Sequence, residues 1–493
     1  MGLGGWSDTA IKIMFCRAKE IQFFQCGHLE LWLLHRCGFI YHSGSNRMAL
    51  SNKKNPRGGI AAFGDYVASL ERLVVQSRPA GDWQERATAA LNGQASTELR
   101  CVVSLKTRRR FGAFFTGSEL ASKFIARCPK LGTSALIHDP SLGVGDLLLA
   151  AASRLPLRRT LNETLRQWGQ QLTGTDLHSE FVRAAKARLI LLARQRHGVK
   201  ASGVTSTSGF FPGIRVADGL MQFTAYKRAT HLFLNPPFGL VNAPVDCDWA
   251  GGRITAAAIF VATALERTKP GTELLAILPD VLRSGTFTEQ WRRYIEQLAD
   301  IKLVEPYGIF DESADVDVFL LRAVRRKPEK SLKPHPWTTA ANRPTTTIAD
   351  FFHVHVGRVV PHRDPKVGKE HPYIHPRCIP TWKVVRTFSQ KRRHEGKVYK
   401  PPFVAIRRTS RTGHPYRAAA TVITGKKSVA VENHLIVCEP MNGTLAACKN
   451  LMRQLKTEAV NKFLDARIRC RHLTVSSVAA IHFIEQQTLR KRK

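Results

Sequence analysis

Short runs of consecutive apolar residues, each bounded by turn formers, recur between residues 116 and 326, at 135–137, 232–234, 274–278, 301–304 and 316–321. Runs of that length predict strands buried on both faces. Between them lie stretches with helical spacing, such as 180–194 and 255–268. Strands alternating with helices predict an α/β fold, a doubly wound and mostly parallel sheet. Upstream, Tyr66, Leu70, Leu73 and Val74 share one helical face, so the segment from 60 to 105 reads as a helical lead-in. Downstream, the polar, proline-containing stretch 326–344 reads as a linker or crossing segment. Beyond it, strand-like pieces at 354–360, 403–407, 420–423 and 435–437 precede a closing helix near 451–467, which predicts a mixed α/β C-terminal domain. The boundaries so drawn are 1–47, 48–110, 111–330 and 331–493. Residues 1–47 are rich in aromatic residues and cysteine, keep no sustained period and lack a signal-peptide pattern. Met48 precedes a conventional polar segment, so 1–47 are expected to be a disordered or spurious extension, with translation starting at Met48.

Charge sharpens this picture. The 493 residues carry 75 Lys plus Arg against 38 Asp plus Glu, a net +37. Residues 331–493 hold 31 basic and 9 acidic residues, so +22 of that excess sits in one third of the chain. Such an excess points to a polyanionic partner, nucleic acid above all, with the C-terminal domain as the contact. Lys391, Arg392, Arg393, Arg407, Arg408 and Arg411 are the candidates for phosphate or base contacts, against the plainer reading of a solvated basic surface. No apolar run reaches the ~18 residues of a membrane span. Ten cysteines without a C-x-x-C pair read as reduced thiols of a cytoplasmic protein. Prolines 361, 365, 372 and 376 interrupt the histidines between 353 and 375, which removes the helical presentation a metal would need; no metal is expected.

Four segments carry candidate chemistry. Asp139-Pro-Ser-Leu-Gly143-Val-Gly145 follows a predicted strand and opens a helix, where glycines let the backbone approach a ligand closely. Leu148 stands where a dinucleotide fingerprint has its third glycine, and no phosphate-cradling P-loop occurs, so the same residues also fit a plain tight turn. Asp176 ends the next predicted strand, where a carboxylate suits a ribose diol or, equally, a helix N-terminus. Asp218 ends a further short run and reads as an acceptor for an exocyclic amine or as a turn. The most informative segment is Asn235-Pro236-Pro237-Phe238. Two prolines stiffen the loop, Asn235 and the Pro236 carbonyl supply acceptors, and Phe238 supplies a flat face, a set that suits a planar amine. A rigid turn with a core Phe is the plain alternative.

Together these motifs resemble those of the N6-adenine DNA methyltransferases, in particular type I modification subunits and their solitary relatives, over residues 111–326. Phe115-Thr116-Gly-Ser-Glu119-Leu120-Ala121 is similar to the family's opening motif near the methionine end of the cofactor. Asp139-Pro-x-x-Gly143-x-Gly145 is similar to its S-adenosylmethionine loop, Asp176 to its ribose acid, Asp218 to its adenine-ring acid and Asn235-Pro-Pro-Phe238 to its catalytic tetrapeptide. Residues 277–285 resemble a segment beside the base pocket. Two departures stand out: Gly117 and Ser118 replace the usual prolines, and Ser141-Leu142 replaces Ala-Cys.

The resemblance implies a seven-stranded, Rossmann-like methyltransferase sheet with a C-terminal target-recognition domain. It implies S-adenosylmethionine as cofactor and Asn235, Pro236, Pro237 and Phe238 as catalytic residues. Thr116, Asp139, Gly143, Gly145, Asp176 and Asp218 would hold the cofactor. The implied substrate is an adenine turned out of double-stranded DNA, in a restriction-modification or related defence system with a specificity subunit or cognate restriction enzyme as further partner. Rival readings are a protein glutamine or RNA methyltransferase, or a non-catalytic DNA-binding subunit of a defence complex. A fused nuclease has no support, since no Glu-x-Lys appears close to Pro279-Asp280 and Glu289.

Overall fold

The computed structural model describes residues 59–485, apart from 77–80, 130, 199–203, 205, 208, 246, 312–315, 328–334 and 339–345. The expectations for residues 1–47 and for most of 326–344 fall outside the described residues. Every element below belongs to the compact unit of residues 55–243 and 248–493.

Its centre is a seven-stranded sheet of β1 (Ile137–Asp139), β2 (Leu172–Asp176), β3 (Ile214–Val216), β4 (His231–Leu234), β5 (Glu273–Pro279), β6 (Ala299–Ile309) and β7 (Asp317–Arg325). The order is β3-β2-β1-β4-β5-β7-β6. The first five strands pair in parallel, whereas β7 runs antiparallel to both β5 and β6. Only residues 310–316 separate β6 from β7. A parallel crossover needs a dozen or more residues, so the pair can only fold back as a hairpin. The expected mostly parallel sheet is thus present, with β7 alone running against its neighbours.

Helices supply the covering layers. Leu161–Gln171 begins at a capping box between Thr160 and Glu163 and buries Trp168. Ser179–His197 is apolar on most sides and buries two arginines, Arg188 and Arg194. Arg194 donates to the Leu73, Val74 and Gln76 carbonyls, and Arg188 to those of Ala90 and Leu91. These are terminal carbonyls of the lead-in helices Gly64–Val75 and Trp83–Leu91 or lie just beyond them. Two side chains of one helix therefore satisfy acceptors that helix ends leave orphaned, which packs the lead-in firmly onto the sheet unit.

Beyond β7, Trp337 is buried and donates to Glu296 at 2.7 Å, so part of the crossing segment is pinned to the helix Glu289–Leu298. The C-terminal residues form a five-stranded sheet ordered Phe352–Val356, Leu435–Pro440, Phe403–Arg407, Ala420–Ile423 and Val384–Val385, beside a three-stranded sheet. The strand expected over 354–360 ends at Val356: Gly357 lies against the Glu432 backbone, where a Cβ would meet the carbonyl at 2.1 Å. The expected single closing helix is two, Leu445–Leu455 and Glu458–Arg467, because Thr457 takes an extended backbone and starts the second. Among the described residues no helix is long and apolar enough to cross a membrane.

Candidate cofactor and active site

The carboxyl ends of β1, β2 and β4 converge on one cleft. Asp139 closes β1 fully buried, and its Oδ1 accepts from the Ser141 amide at 2.9 Å and the Ser141 hydroxyl at 3.3 Å. Burial pushes its carboxyl up to about 7, against the pull of those two bonds. The loop then turns through Gly143 and Gly145, both at positive φ, into the helix Asp146–Ala152. Gly145 packs on the helix behind: a Cβ there would meet the Ala185 Cβ at 2.9 Å.

Asp176, at the tip of β2, joins this loop to its own. Its Oδ2 accepts from the Gly143 amide at 3.0 Å and its Oδ1 from the His178 amide at 2.9 Å. Burial raises its pKa, opposed first by the His178 bond. Asp218, beyond β3, accepts from the Leu220 amide at 2.9 Å, and the adjoining Gly219 touches the Pro140 carbonyl so closely that a Cβ would lie 1.8 Å from its oxygen.

Asn235 leaves β4 half-buried, and its Nδ2 donates to the Thr116 hydroxyl at 2.9 Å. Gly112 holds the following loop closely, since a Cβ there would sit 2.6 Å from the Pro237 Cβ. Thr255 donates to the Phe238 carbonyl at 3.0 Å, and the Phe238 ring meets Phe310 edge-on with centroids 5.4 Å apart. The tetrapeptide is therefore held by four contacts, on Asn235, Pro237 and Phe238.

Of the sequence candidates, Thr116, Asp139, Gly143, Asp176, Asp218, Asn235 and Pro237 line this cleft. Gly145, Pro236 and Phe238 do not line it: Gly145 serves helix packing, Pro236 is buried, and Phe238 lies against Phe310. Two residues missed by sequence reasoning stand out. Asp146 lines the cleft, its Oδ2 accepting from the Gly117 amide at 2.9 Å and its Oδ1 from Arg188 at 2.7 Å. An acid directly after Gly145 was a signal available in the sequence. Arg188 had none, because an arginine within a helix ordinarily reads as solvated.

The six basic candidates divide. Arg392 is buried, with its guanidinium on the Asp364 carbonyl at 2.6 Å and over the Tyr373 ring. Arg407 donates to the Ile379 carbonyl, and Arg408 to those of Leu473 and Asn433. Three cations are thus engaged with backbone, while Lys391, Arg393 and Arg411 are exposed, Lys391 beside Glu370.

No family model and no curated protein matches the sequence. Among solved structures, the chain is similar to the type IIL restriction-modification enzyme MmeI, solved in complex with DNA, at a TM-score of 0.51 and 12% identity over 79% of this chain and 70% of that one. It is also similar to the type IIG restriction endonuclease BpuSI (TM-score 0.39, 14% identity, 79% of this chain) and to the type I restriction enzyme EcoKI M protein (TM-score 0.34, 15% identity, 56% of this chain and 65% of that one). The chain spans 60% of the length of the BpuSI chain. At these identities the likeness is one of fold, here a mixed α/β unit built on a seven-stranded, mostly parallel sheet.

Proposed function

We propose that the protein is an S-adenosylmethionine-dependent DNA methyltransferase that modifies N6 of an adenine turned out of the duplex, within a restriction-modification or related defence system. The observation that carries this reading is the fixed Asn235 amide facing the same cleft as the Gly143 loop and Asp176. The donor set fits the cofactor: Asp176 suits a ribose diol, Asp218 an exocyclic amine, and Phe115 and Phe181 give the cleft an apolar wall. S-adenosylmethionine supplies a methyl group on a positively charged sulfur.

Every other part belongs to the chain. With Nδ2 tied to Thr116, the Asn235 oxygen is left as the acceptor. That oxygen accepts one N6 hydrogen of the adenine, drawing the nitrogen lone pair out of ring conjugation; Pro236 and Phe238 do not line the cofactor cleft, and the Pro236 carbonyl and the Phe238 ring would meet the base from beside it. Acceptors fixed beforehand need no reorganisation during the reaction, and no strong base is required because the proton leaves after the methyl arrives. The net positive charge of 331–493 supports nucleic acid as the substrate and that region as the recognition domain, with a specificity subunit or cognate restriction enzyme as further partner.

Long-read sequencing of DNA from cells expressing the wild type or Asn235→Ala tests this. N6-methyladenine in one recurrent context, lost in the variant, is expected. An unmodified genome in wild-type cells, or full modification by the variant, overturns the reading.

A further inference from the structure

We propose that Asp146 binds the ammonium group at the amino-acid end of the cofactor, with Gly117 and Arg188 setting the direction of its carboxylate. The inference rests on the cofactor assignment above and goes beyond it in naming a residue outside the motifs that support that assignment.

Asp146 opens the helix Asp146–Ala152, and its carboxylate is about nine-tenths buried, with the remaining 10% exposed. A carboxylate has roughly four acceptor positions, and the protein fills one on each oxygen: Arg188 Nη1 at 2.7 Å on Oδ1 and the Gly117 amide at 2.9 Å on Oδ2. The positions left over belong to a group that lines the cleft. Arg188 cannot swing out to meet a ligand in its place. It is buried, and its other N–H groups hold the Ala90 carbonyl at 2.9 Å and the Val144 carbonyl at 2.7 Å. The arginine therefore acts as a fixed counter-ion behind the carboxylate, and the carboxylate faces the cleft with a preference for a cationic donor.

The neighbours narrow the choice of donor. Thr116 carries no charge and already accepts from Asn235, whereas the ribose and ring ends are matched by Asp176 and Asp218. Asp146 contacts the Thr116–Gly117 segment, which the motif resemblance places at the methionine end. The cofactor carries one ammonium, and it is at that end.

Gly117 ties this to the chain's own departure from the motif. Its φ is +72°, its amide is the donor to Asp146, and no atom lies within 4 Å of where a Cβ would stand. Proline, usual at this position in the resembled family, has no amide hydrogen and cannot reach positive φ. Glycine at 117 and aspartate at 146 are therefore two halves of one contact.

Calorimetry on the full chain distinguishes a ligand-binding role from a merely structural ion pair. The probes are S-adenosylhomocysteine, which has the amino-acid end, and 5′-methylthioadenosine, which lacks it. Asp146→Asn is expected to weaken S-adenosylhomocysteine binding by about tenfold or more, the scale of removing a charge-assisted hydrogen bond, while methylthioadenosine binding stays within about twofold. Unchanged S-adenosylhomocysteine affinity, or an equal loss for both ligands, overturns the proposal. Should the variant fail to fold because Arg188 is left unpaired, the wild type is compared on S-adenosylhomocysteine and its desamino analogue, and equal affinity overturns it. A wild type that binds methylthioadenosine but does not favour S-adenosylhomocysteine refutes this inference alone. Binding of neither refutes the cofactor reading beneath it as well.

Discussion

Thr116 Oγ1 accepts a hydrogen bond from Asn235 Nδ2 at 2.9 Å, joining the start of the helix Gly117–Ala126 to the loop after β4. The motif resemblance assigns Thr116 to the cofactor; the geometry shows its oxygen also accepting from the amide, with the hydroxyl hydrogen left to donate. Thr116→Val keeps the shape and removes the acceptor, freeing the amide to rotate. Methyl transfer per bound complex is expected to fall roughly three- to tenfold, the scale of one neutral hydrogen bond. Thr116→Ser restores it, and cofactor affinity stays level in both. Single-turnover kinetics beside calorimetry check this; a Val variant that loses affinity and keeps its rate returns Thr116 to the cofactor.

Gly219 is a second position where geometry dictates the outcome. Its α-carbon lies against the Pro140 carbonyl, and an added Cβ would stand 1.8 Å from the oxygen, an overlap with backbone on both sides. Gly219→Ala must therefore push the Asp139–Gly145 loop away from the Asp218 turn. A lower melting temperature and at least tenfold weaker S-adenosylhomocysteine binding are expected, on the ~1–3 kcal/mol scale of overpacking. Wild-type binding by Gly219→Ala would mean that the loop and the turn move independently.

The legible parts of the molecule were those with a local signal. The apolar runs found β4, β5 and β7 because these strands are buried by their neighbours, whereas β6, found by the same signal, is an edge strand that stays partly exposed over most of its length. Strand β3 is only three residues long and largely exposed, and was legible chiefly through Asp218 beyond its end. The cleft residues were legible because motif spacing constrains backbone and side chain together. What stayed hidden depends on partners distant in sequence. Arg188 meets carbonyls 98 and 44 residues away, and Arg392 reads as surface charge until the Asp364 carbonyl is brought to it. Asp280 is similar: its buried carboxylate accepts from Arg283 at 2.6 Å, Ser284 at 2.7 Å and the Arg469 amide at 2.9 Å, fastening the end of β5 to the C-terminal region.

The raised pKa of Asp139 predicts a pH dependence for binding. Its folded value of about 7 lies above the ordinary 3.8, because burial disfavours the charged form. For an acid shifted this way, its contribution to stability is full below about pH 4 and is lost as pH rises through about 7. A cationic ligand favours the ionised carboxylate, so S-adenosylmethionine affinity rises from about pH 6 to pH 8 and levels off above. His138 beside it stays neutral over that window, since burial lowers its pKa to about 4. Asp139→Asn is expected to flatten the profile in calorimetric titrations. A slope that persists in that variant assigns it to another group, Asp176 first.

The division among the basic candidates makes the last prediction. Lys391, Arg393 and Arg411 are exposed, whereas Arg392, Arg407 and Arg408 spend their guanidinium groups on backbone carbonyls. Phosphates are bound by cations free to reach them, and removing one such cation lowers the slope of log K against log salt by about 0.9. Arg393→Ala and Arg411→Ala should therefore weaken binding to all duplexes alike and flatten the salt dependence, with melting unchanged. Arg392→Ala and Arg408→Ala should instead lower the melting temperature, because removing either donor leaves a carbonyl without its partner, a loss of about 1–3 kcal/mol. Fluorescence anisotropy at several salt concentrations, read beside thermal melts, separates the two sets. The reverse pattern, with a flattened salt slope in Arg392→Ala and a lowered melting temperature in Arg393→Ala, would show that the DNA path crosses the buried side of the strand Lys391–Arg393.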